Sequence, residues 1–174
     1  WQVYLHKTVL AAEHLLINIV KRARELSQQG INLFGTAPFL DFLNHNYQKS
    51  DFDSNPEILQ KFAQLDDFDV FASVKMWSNH SDKTLARLCT GLVNRNLYKI
   101  KISKVPFDIA VIEELKSLTA KRLGIPIDEA GYFVFAGEVK NSAYKSDENN
   151  INILFKNGKL DDIASASDNL NISS

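Results

Sequence analysis

Residues 65–99, LDDFDVFASVKMWSNHSDKTLARLCTGLVNRNLYK, decide how the rest of the chain is read. Asp66 is followed three residues on by Asp69, so one carboxylate can accept from the free amides of a first helical turn while the other adds negative charge at the positive helix end. A helix therefore begins here, with Phe68, Phe71, Ala72 and Trp77 near one apolar stripe. Ser81 in SNHSDK is the next expected cap, opening a second helix that carries Leu85, Leu88, Cys89, Leu92 and Val93. The stretch thus predicts a helical hairpin. It empties into Arg95-Asn96-Leu97-Tyr98-Lys99, two cations four residues apart around a tyrosine.

Upstream, Leu5, Val9, Ala12, Leu16, Val20, Ala23 and Leu26 recur at steps of three or four and predict one long amphipathic helix ending near Gly30. Its pattern starts in mid-register at Trp1 without a cap, which suggests a C-terminal piece of a longer protein whose remainder packs on this helix. Thr36-Ala37-Pro38 predicts a brief helix with Phe39, Leu40 and Leu43, and the polar HNYQKSDFDSNP that follows reads as turns anchored by Phe52. Ser54, with Glu57 three on, predicts a capping-box start for a short helix bearing Ile58, Leu59 and Phe62.

Downstream the period changes from helical to alternating. Ile100 and Ile102 predict a half-buried strand to Val105, stopped by Pro106. Ile109, Ile112, Leu115 and Leu118 predict a helix over 107–123, ended by Gly124 and Pro126. Strands are expected at 132–139 and around Ile151, Ile153 and Phe155, with Asn157-Gly158 as a hairpin turn. The polar tail ASASDNLNISS is expected to fray unless Leu170 and Ile172 dock. The expected class is α+β, predominantly α-helical, with a helical part over 1–102 and a small subdomain with antiparallel strands over 103–174.

Composition narrows the function. The 174 residues are 45% hydrophobic and 24% charged, the makeup of an ordinary folded domain. A formal net charge of -1 argues against strong nucleic-acid binding, which needs a positive excess. A single cysteine, Cys89, rules out an internal disulfide and a paired-cysteine metal site, and suits a reducing compartment. No apolar run approaches the ~18 residues of a membrane helix, so no membrane partner is expected, and the localisation expected is cytoplasmic.

Self-contained catalytic chemistry is missing from the pattern. Metal ligands on one helix stand at i and i+3 or i+4, whereas His6 and Glu13 share a face about two turns apart, roughly 10 Å, too far to chelate one ion by themselves. The carboxylate pairs Asp66-Asp67 and Asp161-Asp162 each adjoin an apolar segment and read as caps or solvated groups. No phosphate-cradling glycine loop and no nucleophile elbow occurs. What remains is anion recognition. Tyr4, His6 and Lys7 open the long helix, while Arg95, Tyr98 and Lys99 close the hairpin; arginine offers a fork to phosphate, lysine a point charge and tyrosine a flat polar face.

Two blocks carry a family resemblance. VYLHKTVLAAEHLL is similar to the helix after the metal site in HD-domain phosphohydrolases of the dNTP triphosphohydrolase (dGTPase-like) type, with its Y-x-H-K order. FAQLDDFDVFASVKMWSNHSDKTLARLCTGLVNRNLYK resembles the later block of that family: an acidic pair, a helix, a polar link, a second helix and R-N-L-[FY]-K. The resemblance spans about residues 1–102 and is faint beyond Lys104.

The resemblance implies a metal-dependent parent enzyme that hydrolyses phosphate esters, often dNTPs, with a divalent ion (Mg, Mn, Fe or Ni) held by an H…HD…D set. No His-Asp dipeptide occurs in the 174 residues, so that set would lie upstream, and this fragment alone is expected to bind no such metal and to be inactive. By the same resemblance Tyr4 would line the substrate pocket, His6 and Lys7 would lie near a regulatory nucleotide at a subunit contact, and Arg95 and Lys99 would touch its phosphates. The expected partners are a nucleotide, the missing HD domain of the same protein, and further subunits of a homo-oligomer. A non-catalytic helical interaction module, with a merely superficial basic exit, is the competing reading.

Overall fold

In the computed structural model of the chain, residues 7–103, 105–137 and 152–162 are described. Seven α-helices precede one small antiparallel hairpin among these residues, so the α+β, mainly helical expectation holds. The chain divides into two compact units, Trp1–Ala136 and Gly137–Ser174.

The first unit is built on α1 (Lys7–Gln28), which packs most extensively against α6 (Lys83–Val93) and then α2 (Ala37–Asn44). Leu15, Ile19, Ala23 and Leu26 of α1 meet Leu85, Leu88 and Cys89 of α6 in one core, joined by Phe39, Leu43, Val74 and Trp77. The buried face of α1 is rotated from the expected stripe: Ala11, Leu15, Ile19 and Ala23 are inside, Leu16 and Val20 only partly so, and Val9 is exposed. Apolar residues occur on both sides of this helix, so periodicity alone does not select the face. Leu5 lies outside the described residues.

Between α2 and the hairpin, the stretch read as turns contains α3 (Lys49–Ser54), and Phe52 does anchor it, ringed by Phe42, Tyr47 and Phe62. Helix α4 (Pro56–Ala63) is capped by Asn55, whose side chain accepts from Glu57 N at 3.0 Å, rather than by Ser54. Placing Pro56 at the first helical position makes the residue before it the cap.

Helix α5 (Asp67–Trp77) opens on the expected Asp66 cap, and Asp69 does more than add charge: the two form a capping box in which each side chain accepts from the other's backbone amide. Its inner face is Ser73, Val74 and Trp77, while Phe68 and Phe71 are exposed. Ser73 can be buried because its hydroxyl donates to Asp69 O at 2.7 Å, which satisfies the polar atom within the helix. Trp77 stacks on Phe39 and donates its indole N–H to Phe34 O at 2.9 Å. Replacing Trp77 by alanine would cost about 3–5 kcal/mol. Asp82, not Ser81, caps α6, accepting from Leu85 N at 2.7 Å.

Beyond α6 the predicted strand is absent: residues 100–103 are irregular. Alternation of Ile100 and Ile102 supplies a pattern without a neighbouring strand to pair with. Helix α7 (Ile109–Leu123) follows, closed by Gly124 at φ 63°. Its expected apolar stripe faces outward, with Ile109, Leu115 and Leu118 exposed and Ala120 buried. A 3-10 helix, Asp128–Tyr132, then stands where a strand was expected to begin, and residues 133–137 are irregular. Its Ala130 and Ile125 bury a small core against Ala120. Residues 138 and 139 of that expected strand, Ile151 and the 164–174 tail lie outside the described residues.

In the second unit, β1 (Asn152–Leu154) pairs antiparallel with β2 (Leu160–Asp162), Ile153 opposite Asp161, through the expected Asn157-Gly158 turn with Gly158 at φ 82°.

Candidate functional site: a cationic exit beside a closed ion network

Helix α6 ends in a way that fixes the exit that follows it. Asn94 caps the helix, Asn96 N donates back to Gly91 O at 2.8 Å, and Arg95 between them sits at φ 57°. This is the left-handed helix stop usually given to glycine, as Gly124 provides at the end of α7. For a residue with a Cβ that conformation costs about 1–2 kcal/mol. The bend also needs Gly91, where a Cβ would stand 3.3 Å from Asn96 O and 3.6 Å from Leu15 Cδ2.

Arg95 and Lys99 are both exposed, and neither side chain has an ion pair or hydrogen bond to a described residue. Tyr98 between them turns inward. Its hydroxyl donates to Tyr132 O at 2.7 Å and accepts from Asn18 Nδ2 at 3.2 Å, and burial pushes its pKa up to about 12. Asn18 also donates to Tyr132 O, at 3.0 Å. The exit is thus pinned at its tyrosine and open at its cations. Lys7, the first residue of α1, is exposed, and among the described residues no contact joins it to Arg95 or Lys99. Tyr4 and His6 lie outside the described residues.

Next to this tyrosine lies a cluster that the sequence pattern does not announce. Arg22 forks onto Asp82, with Nε 3.2 Å from Oδ1 and one terminal nitrogen 2.7 Å from Oδ2; the same nitrogen is 2.7 Å from Glu129 Oε1. The other carboxylate oxygen of Glu129 accepts from buried Thr84, and Glu25 adds a looser contact to Arg22 at 3.3 Å. Only 11% of the Arg22 side chain is exposed, and 17% of each of Asp82 and Glu129. The hydrogen bond to Asp82 raises the Arg22 pKa above its ordinary value against the opposing effect of burial. Burial alone would raise the Asp82 carboxyl; the Arg22 bond and the Leu85 amide outweigh it and hold the group below its usual range. Burial and Glu25 raise Tyr132, over whose ring the Arg22 guanidinium stands at 5.9 Å.

An open groove of about 390 Å³ runs along this network, lined by Asn18, Lys21, Arg22, Glu25, Asp128, Glu129, Gly131 and Tyr132. Its arginine is already engaged by carboxylates, so it offers no free fork to a phosphate. The network instead fastens the 3-10 helix to α1 and to the start of α6. Asp82 and Glu129 stand 60 and 107 residues from Arg22, and no local spacing could have revealed them. Among the described residues no group of three or more His, Cys, Asp or Glu side chains could hold a metal. Cys89 is buried, and its thiol is pushed up to about 12 by that burial, which keeps it protonated and unreactive at neutral pH.

Over 99% of its length the chain is similar to a phosphohydrolase from Bacteroides thetaiotaomicron VPI-5482 of known crystal structure, with 42% identity and a TM-score of 0.83. That is a phosphohydrolase-family relationship. The chain is also 28% identical over 170 residues to the uncharacterized protein YwfO of Bacillus subtilis (strain 168), a match that covers 94% of this chain. It spans 43% of the first of these relatives and 36% of the second. No protein-family model matches it. Among the described residues no helix is long and apolar enough to cross a membrane.

Proposed function

We propose that the chain is the C-terminal region of an HD-type, metal-dependent phosphohydrolase that acts on (deoxy)nucleoside triphosphates. The observation that carries this reading is the 42% identity and shared fold with the Bacteroides phosphohydrolase. The Y-x-H-K block at Tyr4, His6 and Lys7 and the R-N-L-Y-K block at Arg95–Lys99 extend it toward nucleotides. In this reading residues 1–102 supply the helical wall of the pocket, with Tyr4 against substrate.

In this reading the divalent metal is held by an H…HD…D set in the rest of the parent protein; among the described residues no group of three or more His, Cys, Asp or Glu side chains could hold a metal. What this chain contributes is binding. Arg95 and Lys99 are free, outward cations on a backbone held by Tyr98, and with His6 and Lys7 they contact the phosphates of a regulatory nucleotide. Subunit association supplies the remaining contacts.

The test is direct. Full-length protein with Mn2+ or Mg2+ is expected to release phosphate or triphosphate from dNTPs, and the isolated 174 residues to release neither. Full-length Arg95→Ala is expected to lose about tenfold or more in apparent affinity for the activating nucleotide, the loss of one charge-assisted hydrogen-bonding group. Unchanged affinity and activation in that variant would remove Arg95 from the site; no hydrolysis of any dNTP by the full-length enzyme would remove the nucleotide substrate.

A further inference from the structure

Helix α7 carries more apolar surface than its neighbours cover. Its inner side reaches the small core at Ala120, while Val111, Leu115 and Leu118 are 52%, 48% and 57% exposed. These three stand at i, i+4 and i+7, and Arg122 continues the row four residues on, so the uncovered residues form one straight seam of the kind that packs a second helix.

Charge identifies the partner. The seam is flanked on one side by Glu114 and, seven residues later, Lys121, both exposed and both without an ion pair among the described residues. Glu113, by contrast, is already paired with Lys116 at 2.8 Å. If the same helix from a second copy lies antiparallel across the seam, Leu115 meets Leu118 of the other copy, and Val111 meets the aliphatic stem of Arg122. Glu114 of each copy then faces Lys121 of the other, once on each side of the two-fold axis. A parallel arrangement would set Arg122 against Arg122 across the seam and leave Glu114 facing Thr119. Self-complementarity therefore exists in one orientation only.

We infer that α7 is a homotypic interface: two copies of the chain pair through antiparallel α7 helices, with Leu115 and Leu118 at the centre and two Glu114–Lys121 pairs along one flank. The inference rests on the subunit-association part of the proposed function and is independent of the phosphohydrolase chemistry. A contact between helices of this length falls at the small end of specific interfaces, below about 1,200 Å² in total, so the association is expected to be concentration-dependent.

The experiment measures the mass of the full-length protein by sedimentation equilibrium and light scattering across a hundredfold concentration range. Leu115→Glu/Leu118→Glu is expected to halve the assembled mass with an unchanged melting temperature, both side chains being about half exposed within the 174 residues. Glu114→Lys and Lys121→Glu, each alone, are expected to raise the dissociation constant by about tenfold, and the double reversal Glu114→Lys/Lys121→Glu to restore it. The inference is overturned if the wild-type protein is monomeric throughout. It is also overturned if the leucine variant keeps its mass but melts lower, which would mean that another part of the same chain covers the seam. Failure of the double reversal to restore assembly would sink the antiparallel pairing. Since dNTP hydrolysis is not the readout, loss of the nucleotide reading would leave these outcomes unaffected.

Discussion

Two arginines in the first unit are put to opposite uses. Arg22 is nearly enclosed, its guanidinium shared between Asp82 and Glu129; Arg95 is exposed on a left-handed backbone, its side chain without a partner among the described residues. The first has its charge neutralised where it stands and can do little except hold the 3-10 helix to α1 and α6. The second carries the cost of its backbone conformation and keeps its charge available. A cation in a groove is therefore not the same thing as a cation free to bind. Here the groove lies along the arginine whose charge is already engaged.

The difference is tested most severely by removing the enclosed charge. Arg22→Met keeps the aliphatic stem but leaves two mostly buried carboxylates facing each other, a change that costs about 3–5 kcal/mol. For a unit of this size the melting temperature should fall on the order of 10 °C. A fall of under 2 °C would mean that the network does not hold the unit together.

Next in size is Asp82→Asn. The amide oxygen can still accept from Leu85 N, so the α6 cap survives while Arg22 loses the negative charge it pairs with, at about 1–3 kcal/mol. The pH dependence has a definite sign. Asp82 is held below its ordinary pKa in the folded chain, so the unfolded state takes up its proton first as pH falls. The stability it contributes is fully present above the unfolded value, about 3.9, and is lost as pH drops through the lower folded value. The gap between wild type and Asp82→Asn in urea unfolding should thus be widest near neutrality and begin to narrow as pH falls below about 3.9. A gap that is constant with pH would assign the effect to packing or capping instead of charge.

The same contrast explains what the sequence could and could not reveal. Asp66 with Asp69, Gly124 and Asn157-Gly158 act on their own neighbours within a few residues, and each does in the structure what its spacing indicates. The two displaced caps, Asn55 for Ser54 and Asp82 for Ser81, are errors of one residue within the right turn. Faces were harder. Helices α5 and α7 carry apolar residues around much of their circumference, so burial was decided by which helix lay opposite, and Phe68, Leu115 and Leu118 turned out exposed. The strand expected at 100–105 failed for a related reason, since alternation describes one side of a ladder and says nothing of a partner. Arg22, Asp82, Thr84 and Glu129 come together only after α1, α6 and the 3-10 helix have packed, which places their network beyond any local reading. The exit at Arg95–Lys99 was visible as a pair of cations; its left-handed turn and the inward anchor at Tyr98 were not.

The smallest expected effect separates the two costs carried by Arg95. Alanine at this position removes the guanidinium but keeps a Cβ on a left-handed backbone, so the Arg95→Ala protein should match the wild type in stability within about 0.5 kcal/mol. Glycine removes both. It relieves about 1–2 kcal/mol of left-handed strain, while a looser unfolded chain takes back about 0.4–1 kcal/mol. Arg95→Gly is therefore expected to be more stable than either by about 0.5–1 kcal/mol, measured as a higher urea midpoint at unchanged slope. If the exposed cation is there to bind phosphate, both variants lose nucleotide affinity alike although only one gains stability. A glycine variant that gains stability and keeps full affinity would show that the arginine was tolerated at the bend without being used. One that gains no stability would show that the bend at Asn94–Asn96 is not held left-handed in solution, and the contrast with Arg22 would then rest on exposure alone.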